Sequence, residues 1–131
     1  MIDYEVKIFN RVHGKVAPLC VKNGFTSAQI MDYTKVPAAS LYEMDNRTVR
    51  DRQGSTPVEV FARITYQFEA IAPTKAKCRA IFQAADGEMI SMNFSRMTGT
   101  FVIYPDNPSV VRYVARYEAD VDQDGNLYRI G

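Results

Sequence analysis

Residues 58–71 read Val-Glu-Val-Phe-Ala-Arg-Ile-Thr-Tyr-Gln-Phe-Glu-Ala-Ile. Val58, Val60, Ala62, Ile64, Tyr66, Phe68 and Ala70 take every second position, opposed by Glu59, Arg63, Thr65, Gln67 and Glu69. A period of two puts successive side chains on opposite faces of an extended chain, so this is a long β-strand with one buried face and one mostly wet face. Phe61 and Ile71 break the polar face near its ends, where a neighbouring subunit or a loop is expected to cover them. The same alternation returns as Val111, Tyr113, Ala115, Tyr117, Ala119 and Val121 against Arg112, Arg116, Glu118 and Asp120. Two amphipathic strands of this length need an apolar layer to sit against.

Helical periodicity supplies it. Between Ile2 and Asn23, Ile2, Val6, Phe9, His13, Val16 and Cys20 recur in steps of three and four, a stripe that Val12 and Leu19 widen. Pro18 removes a backbone donor and crowds the carbonyl of Gly14, which predicts a kink or an early end, with Gly24 as a C-terminal stop. The second helix is announced by Pro73-Thr74, with Thr74 as N-cap, and runs to about Asn93 on the face of Cys78, Ile81, Phe82, Ala85, Met89 and Met92. Phe25 to Thr34 reads as a connector and Val36 to Met44 as the first strand. Phe94 to Tyr104 is a further strand, interrupted by Gly99. Asp124-Gly125-Asn126 turns the last long strand into a short terminal one, Leu127 to Ile130. The order helix, strand, strand, helix, strand, strand, strand predicts an α+β fold of two layers, a mainly antiparallel β-sheet with two helices packed on one face, in a single domain over 1–131.

Between the first two strands lies Asp-Asn-Arg-Thr-Val-Arg-Asp-Arg-Gln-Gly-Ser-Thr-Pro, residues 45–57, with arginines at 47, 50 and 52. Hairpin loops usually take about two to five residues, so a long charged loop is either functional or disordered. The loop therefore points outward, towards a partner; Arg47, Arg50 and Arg52, with Asp51 between them, could grip phosphates, but a mixed-charge loop more often forms salt bridges or stays solvated.

Composition narrows the chemistry. At 131 residues, 47% apolar and 24% charged, the chain belongs among ordered globular proteins. A net charge of +1 creates no global field that would draw nucleic acid or an anionic membrane. The N-terminal segment lacks an apolar core of signal-peptide length, and the expected compartment is the cytosol. Cys20 and Cys78 have no CxxC partner and read as buried reduced thiols. His13, the sole histidine, lies on the helical stripe without a nucleophile at activating spacing, and reads as a packing or capping residue. Zinc would need three or four ligands that this chain does not offer. Asp120, Asp122 and Asp124 followed by Gly125 match the first half of a calcium loop, but Gly131 stands where the closing acid belongs, so a structural turn is expected. No glycine-rich phosphate cradle precedes a helix, and no cofactor is expected.

Several stretches carry a resemblance. Val36-Pro-Ala-Ala-Ser-Leu-Tyr-Glu-Met-Asp-Asn46, the polar loop, Glu59-Val-Phe-Ala-Arg-Ile-Thr-Tyr-Gln-Phe-Glu69 and Lys75-Ala-Lys-Cys-Arg-Ala-Ile81 are similar to segments of the tail terminator, or tail-completion, proteins of long-tailed bacteriophages. Met92-Asn-Phe-Ser-Arg-Met97 and Arg112-Tyr-Val-Ala-Arg-Tyr-Glu118 extend the resemblance over most of the chain. It implies a non-catalytic virion protein of the tail neck, assembled in the host cytoplasm. A homo-hexameric ring would cap the tail tube, stop its growth, and join tail to head through the tail-tube protein and the head connector or stopper protein. DNA would pass without sequence-specific binding, and no membrane would be involved. In this reading Arg47, Arg50, Asp51, Arg52, Phe61 and Ile71 meet a neighbouring subunit or the tube, and Asp120, Asp122 and Asp124 form an acidic hairpin facing the lumen. A head-closure or connector adaptor of the neck is the nearer alternative. A small α+β enzyme or ligand-binding module, with a pocket between helices and sheet using His13 or an acid, is the more distant one.

Overall fold

The computed structural model describes residues 5–21, 24–27, 36–48, 61–103, 110–122 and 124–130. It is an α+β fold with helices α1 (Glu5–Val16) and α2 (Lys75–Ser91), a 3-10 turn at Ala17–Leu19, and strands β1 (Phe25–Thr26), β2 (Ala38–Thr48), β3 (Phe61–Ala72), β4 (Ser95–Ile103), β5 (Val111–Asp122) and β6 (Leu127–Tyr128). The sheet runs β1-β2-β3-β5-β4, with β6 also paired to β5. All pairings are antiparallel except β1 with β2.

The alternation in β3 and β5 determines their ladder. Ala62, Ile64, Tyr66, Phe68, Ala70 and Ala72 stand opposite Val121, Ala119, Tyr117, Ala115, Tyr113 and Val111. Directly opposed residues share a face, so these twelve form one surface, and bulky Phe68 meets small Ala115 while Ile64 meets Ala119. The main apolar cluster joins this surface to Ala39 and Leu41 of β2, to Ile8, Val12 and Val16 of α1, and to Cys78, Ile81, Phe82, Ala85 and Met89 of α2.

The helices start and stop where local chemistry directs. Thr74 caps α2 by accepting from the Lys77 amide at 3.2 Å, satisfying one of the donors a helix start leaves free. At its other end Arg129 Nη2 donates to the Ile90 carbonyl at 2.9 Å. Pro18 does end α1 early, as its lost donor requires, and the chain tightens into the 3-10 turn. Gly24 is not a helix stop. It enters β1, where an added Cβ would lie 2.8 Å from the Val21 carbonyl oxygen.

Other expectations need correcting. The buried stripe of α1 is Ile8, Val12 and Val16, one residue round from Phe9 and His13; His13 is exposed and Leu19 is 43% exposed. Phe25 belongs to the same apolar cluster and lies against Phe9 and His13, with ring centroids 4.9 and 5.5 Å away. Within the expected connector, Phe25 and Thr26 pair with Ala39 and Ser40 as a parallel strand. β2 does not end at Met44 but continues through Thr48, and its pairing with β3 passes a bulge at Met44. Nor is the polar face mostly wet: Gln67 is 7%, Glu69 1% and Asp120 0% exposed. Gly99, read as an interruption, lies within β4, where an added Cβ would run into the hydroxyl of Tyr113, a side chain whose ring contacts both Phe82 and Phe101.

Candidate functional site

The residues expected to meet partners fall into three groups. Arg47 lies in β2, exposed, with its guanidinium 2.6 Å from Asp45. Arg50, Asp51 and Arg52 lie outside the described residues. Phe61 opens β3 opposite Asp122. Ile71 is not available to a neighbour: it is 0% exposed and forms a second apolar cluster with Ala38 and Val110. Burial there comes from the strands on both sides, which a single strand's pattern does not reveal.

The acidic hairpin separates into three different environments. Asp120 is fully buried and accepts a fork from Arg63, Nε to Oδ1 at 2.9 Å and Nη2 to Oδ2 at 3.3 Å. A carboxylate this deep requires such a partner, because an unpaired buried charge is far costlier than a paired one. Asp122 ties the turn together, its Oδ1 accepting from the Asp124 and Asn126 amides at 3.0 and 2.9 Å and its Oδ2 from the Tyr128 hydroxyl at 2.9 Å. Only Asp124 is exposed. Among the described residues no group of three or more His, Cys, Asp or Glu is placed to hold a metal ion.

Those hydrogen bonds, the one from the Asn126 backbone first, hold the Asp122 carboxyl below its ordinary value of 3.8. A lowered folded-state pKa means that the contribution is complete above the unfolded value and is lost as pH falls through the folded one. In an NMR titration the Asp124 and Asn126 amide resonances should move together with a midpoint below 3.8. A midpoint at or above that value would show that the turn does not depend on the ionised carboxylate.

The register gathers residues that are distant in sequence. Arg47, Arg63, Asp120 and Tyr128 form one row across β2, β3, β5 and β6, so the arginine strand and the acidic hairpin share one end of the sheet. Next to it is a polar network of which only the alternating charges were visible in sequence. Gln67 Nε2 donates to the Tyr42 hydroxyl at 2.6 Å and to Glu69 Oε1 at 2.8 Å, and Arg116 Nε donates to Gln67 Oε1 at 3.1 Å. Arg112 Nη2 donates to the same Glu69 oxygen. Burial, then the neighbouring Glu69 charge, raises the Tyr42 pKa. Every charge here bridges neighbouring strands, which makes the network a brace across the sheet.

Two hollows adjoin α1. One, of about 270 Å³, is lined by Lys7, Arg11, Ser91, Asn93 and Asn126. Arg11 is already engaged there, with Glu88 Oε2 at 3.0 Å and Ser91 Oγ at 3.2 Å, and cations beside the closing end of α2 complement its dipole. The other is lined by His13, Cys20 and Phe25. Burial pushes the Cys20 thiol up to about 11, so it is protonated at neutral pH and is a poor nucleophile or ligand. Cys78 is likewise pushed up to about 11 by burial, and its thiol donates to the Ala70 carbonyl at 3.3 Å.

The remaining feature is the pair of sheet margins. β4 forms one margin, and on the other β1 covers only Ala39 and Ser40 of β2. Among the described residues no strand flanks Leu41–Thr48 on that side or β4 on its outer side. No described helix is long and apolar enough to cross a membrane. Searches against family models and against curated proteins find no match for this chain.

Proposed function

We propose that this chain is a structural, non-catalytic subunit of a bacteriophage tail terminator, forming a closed ring on the head-proximal end of the tail tube. The observation that carries the reading is a sheet open along both margins among its described residues, at β2 on one side and at β4 on the other. A ring needs two unlike surfaces on each subunit, one meeting the other on the next copy, with a rotation that closes. The resemblance in segments such as Val36–Asn46 and Glu59–Glu69 supports the same reading and supplies the partners: tube protein on one side, head connector on the other. Of the acidic hairpin, Asp124 is the residue with an exposed side chain to offer a DNA-lined lumen.

Native mass spectrometry of the purified chain, alone and with tube protein, is expected to show a homo-hexamer that binds tubes. Persistent single copies in the presence of tubes of uncontrolled length would end the reading. The charged loop has its own test, which must spare Arg47 because that residue pairs within β2 opposite Arg63. Arg50→Glu with Arg52→Glu should leave the circular dichroism spectrum and melting temperature unchanged while abolishing tube capping. Normal tail lengths with this variant would remove the loop from the interface.

A further inference from the structure

Both edge strands carry a β-bulge, and in both the extra residue is an exposed methionine. In β2 the register steps from Glu43↔Tyr66 to Asp45↔Thr65, leaving Met44 without a partner; in β4 it steps from Arg96↔Tyr117 to Thr98↔Arg116, leaving Met97 without one. Met44 is 44% and Met97 53% exposed, two of the four large apolar side chains exposed among the described residues. Bulges and charged side chains are each ways of keeping an edge from unwanted pairing, and here the bulged residue is apolar on both edges. A bulge also re-aims a side chain, and a flexible thioether suits a surface that must pack against another.

The flanking charges differ in sign. Lys75, Lys77 and Arg79 crowd the first turns of α2, where no acid is present and the helix dipole disfavours cations. Lys75 and Arg79 lie over the Phe101 ring of β4, 5.3 and 5.7 Å from its centroid. Arg96 lies over Phe82 and pairs with Asp86 at 3.2 Å. With Arg96 offset by Asp86, Lys75 and Arg79 leave the β4 margin positive. At the β2 margin the bulge is flanked by Glu43 and Asp45, and since Asp45 is paired with Arg47 of the same strand the three side chains leave one net negative charge there. Glu43 stands opposite Tyr66 and Arg96 opposite Tyr117, residues that themselves face one another, so the acid and the cation project on the same face of the sheet.

We infer that the β4 edge of one copy docks on the β2 edge of the next, with Met97 and Met44 in the contact, which deepens and rests on the ring reading above. Strand direction permits it: β2 and β5 run one way and β3 and β4 the other. A neighbouring sheet of the same orientation would thus meet β4 with an antiparallel β2, continuing the ladder. The alternative of β4 against β4 would oppose two cationic margins, and like charges across strands repel.

The test is covalent capture. In a Cys20→Ser background, with Cys78 buried, Met44→Cys and Met97→Cys are made singly and together and treated with a short bismaleimide. The double variant is expected to give a ladder of linked copies ending at the ring size, and each single variant to remain a monomer on a denaturing gel. Linked dimers from Met97→Cys alone would overturn the inference in favour of like-to-like pairing. Rings seen by native mass spectrometry without a ladder would overturn the edge assignment and leave the ring reading standing. Single copies throughout, with tube protein present, would end both.

Discussion

Glu69→Ala is expected to lower folding stability by about 3–5 kcal/mol, the cost of breaking a buried ion pair by removing one partner. Glu69 is 1% exposed and its Oε1 accepts from Arg112, Gln67 and Tyr42. The Arg112 side chain is only 18% exposed, so little water reaches the charge that loses this carboxylate. For a domain of this size the melting temperature should fall by roughly 10–20 °C. Glu69→Gln should cost less, because it keeps an acceptor in place. Glu69→Leu combined with Arg112→Met should recover much of the loss, since removing both charges also removes both desolvation costs. Urea denaturation of the set checks this, read at constant slope. A Glu69→Ala loss under about 1 kcal/mol would mean that the network is solvated and braces nothing.

Phe94→Ala is expected to cost a similar amount, about 3–5 kcal/mol, by a different route. Phe94 is 0% exposed, joins the main apolar cluster, and meets Tyr66 edge to face with centroids 5.7 Å apart. It also sits between the end of α2 and the first residue of β4, its amide donating to the Met89 carbonyl at 3.0 Å. The cavity left behind would loosen the start of that edge strand. Ring formation should therefore weaken in this variant even under conditions where most of the chain remains folded. Phe94→Leu, which keeps most of the volume, should restore both stability and assembly. Equal assembly by Phe94→Ala and the natural chain would separate the β4 margin from the ring contact.

How much of this was legible in sequence depends on how local each determinant is. β3 and β5 announced themselves because an amphipathic strand repeats its pattern every two residues, and Thr74 marked α2 through a single capping hydroxyl. Asp45, Asn46 and Arg47 read as loop because polar residues favour turns. Their place in β2 comes from the partner strand, which holds Asp45 opposite Thr65, Asn46 opposite Ile64 and Arg47 opposite Arg63. β1 is two residues long and contains no period to detect. The polar face read as wet because alternation distinguishes the two faces of a strand without saying what lies over either.

Composition and periodicity alone thus determined the α+β class, the two long amphipathic strands and the capped second helix, since each depends on residues a few positions apart. Tertiary structure decided that Glu69 and Asp120 are buried braces, that Ile71 belongs to a core, and that Met44 and Met97 stand at opposite margins as bulges. These depend on which strand lies beside which, and a one-residue step in pairing moves a side chain to the other face.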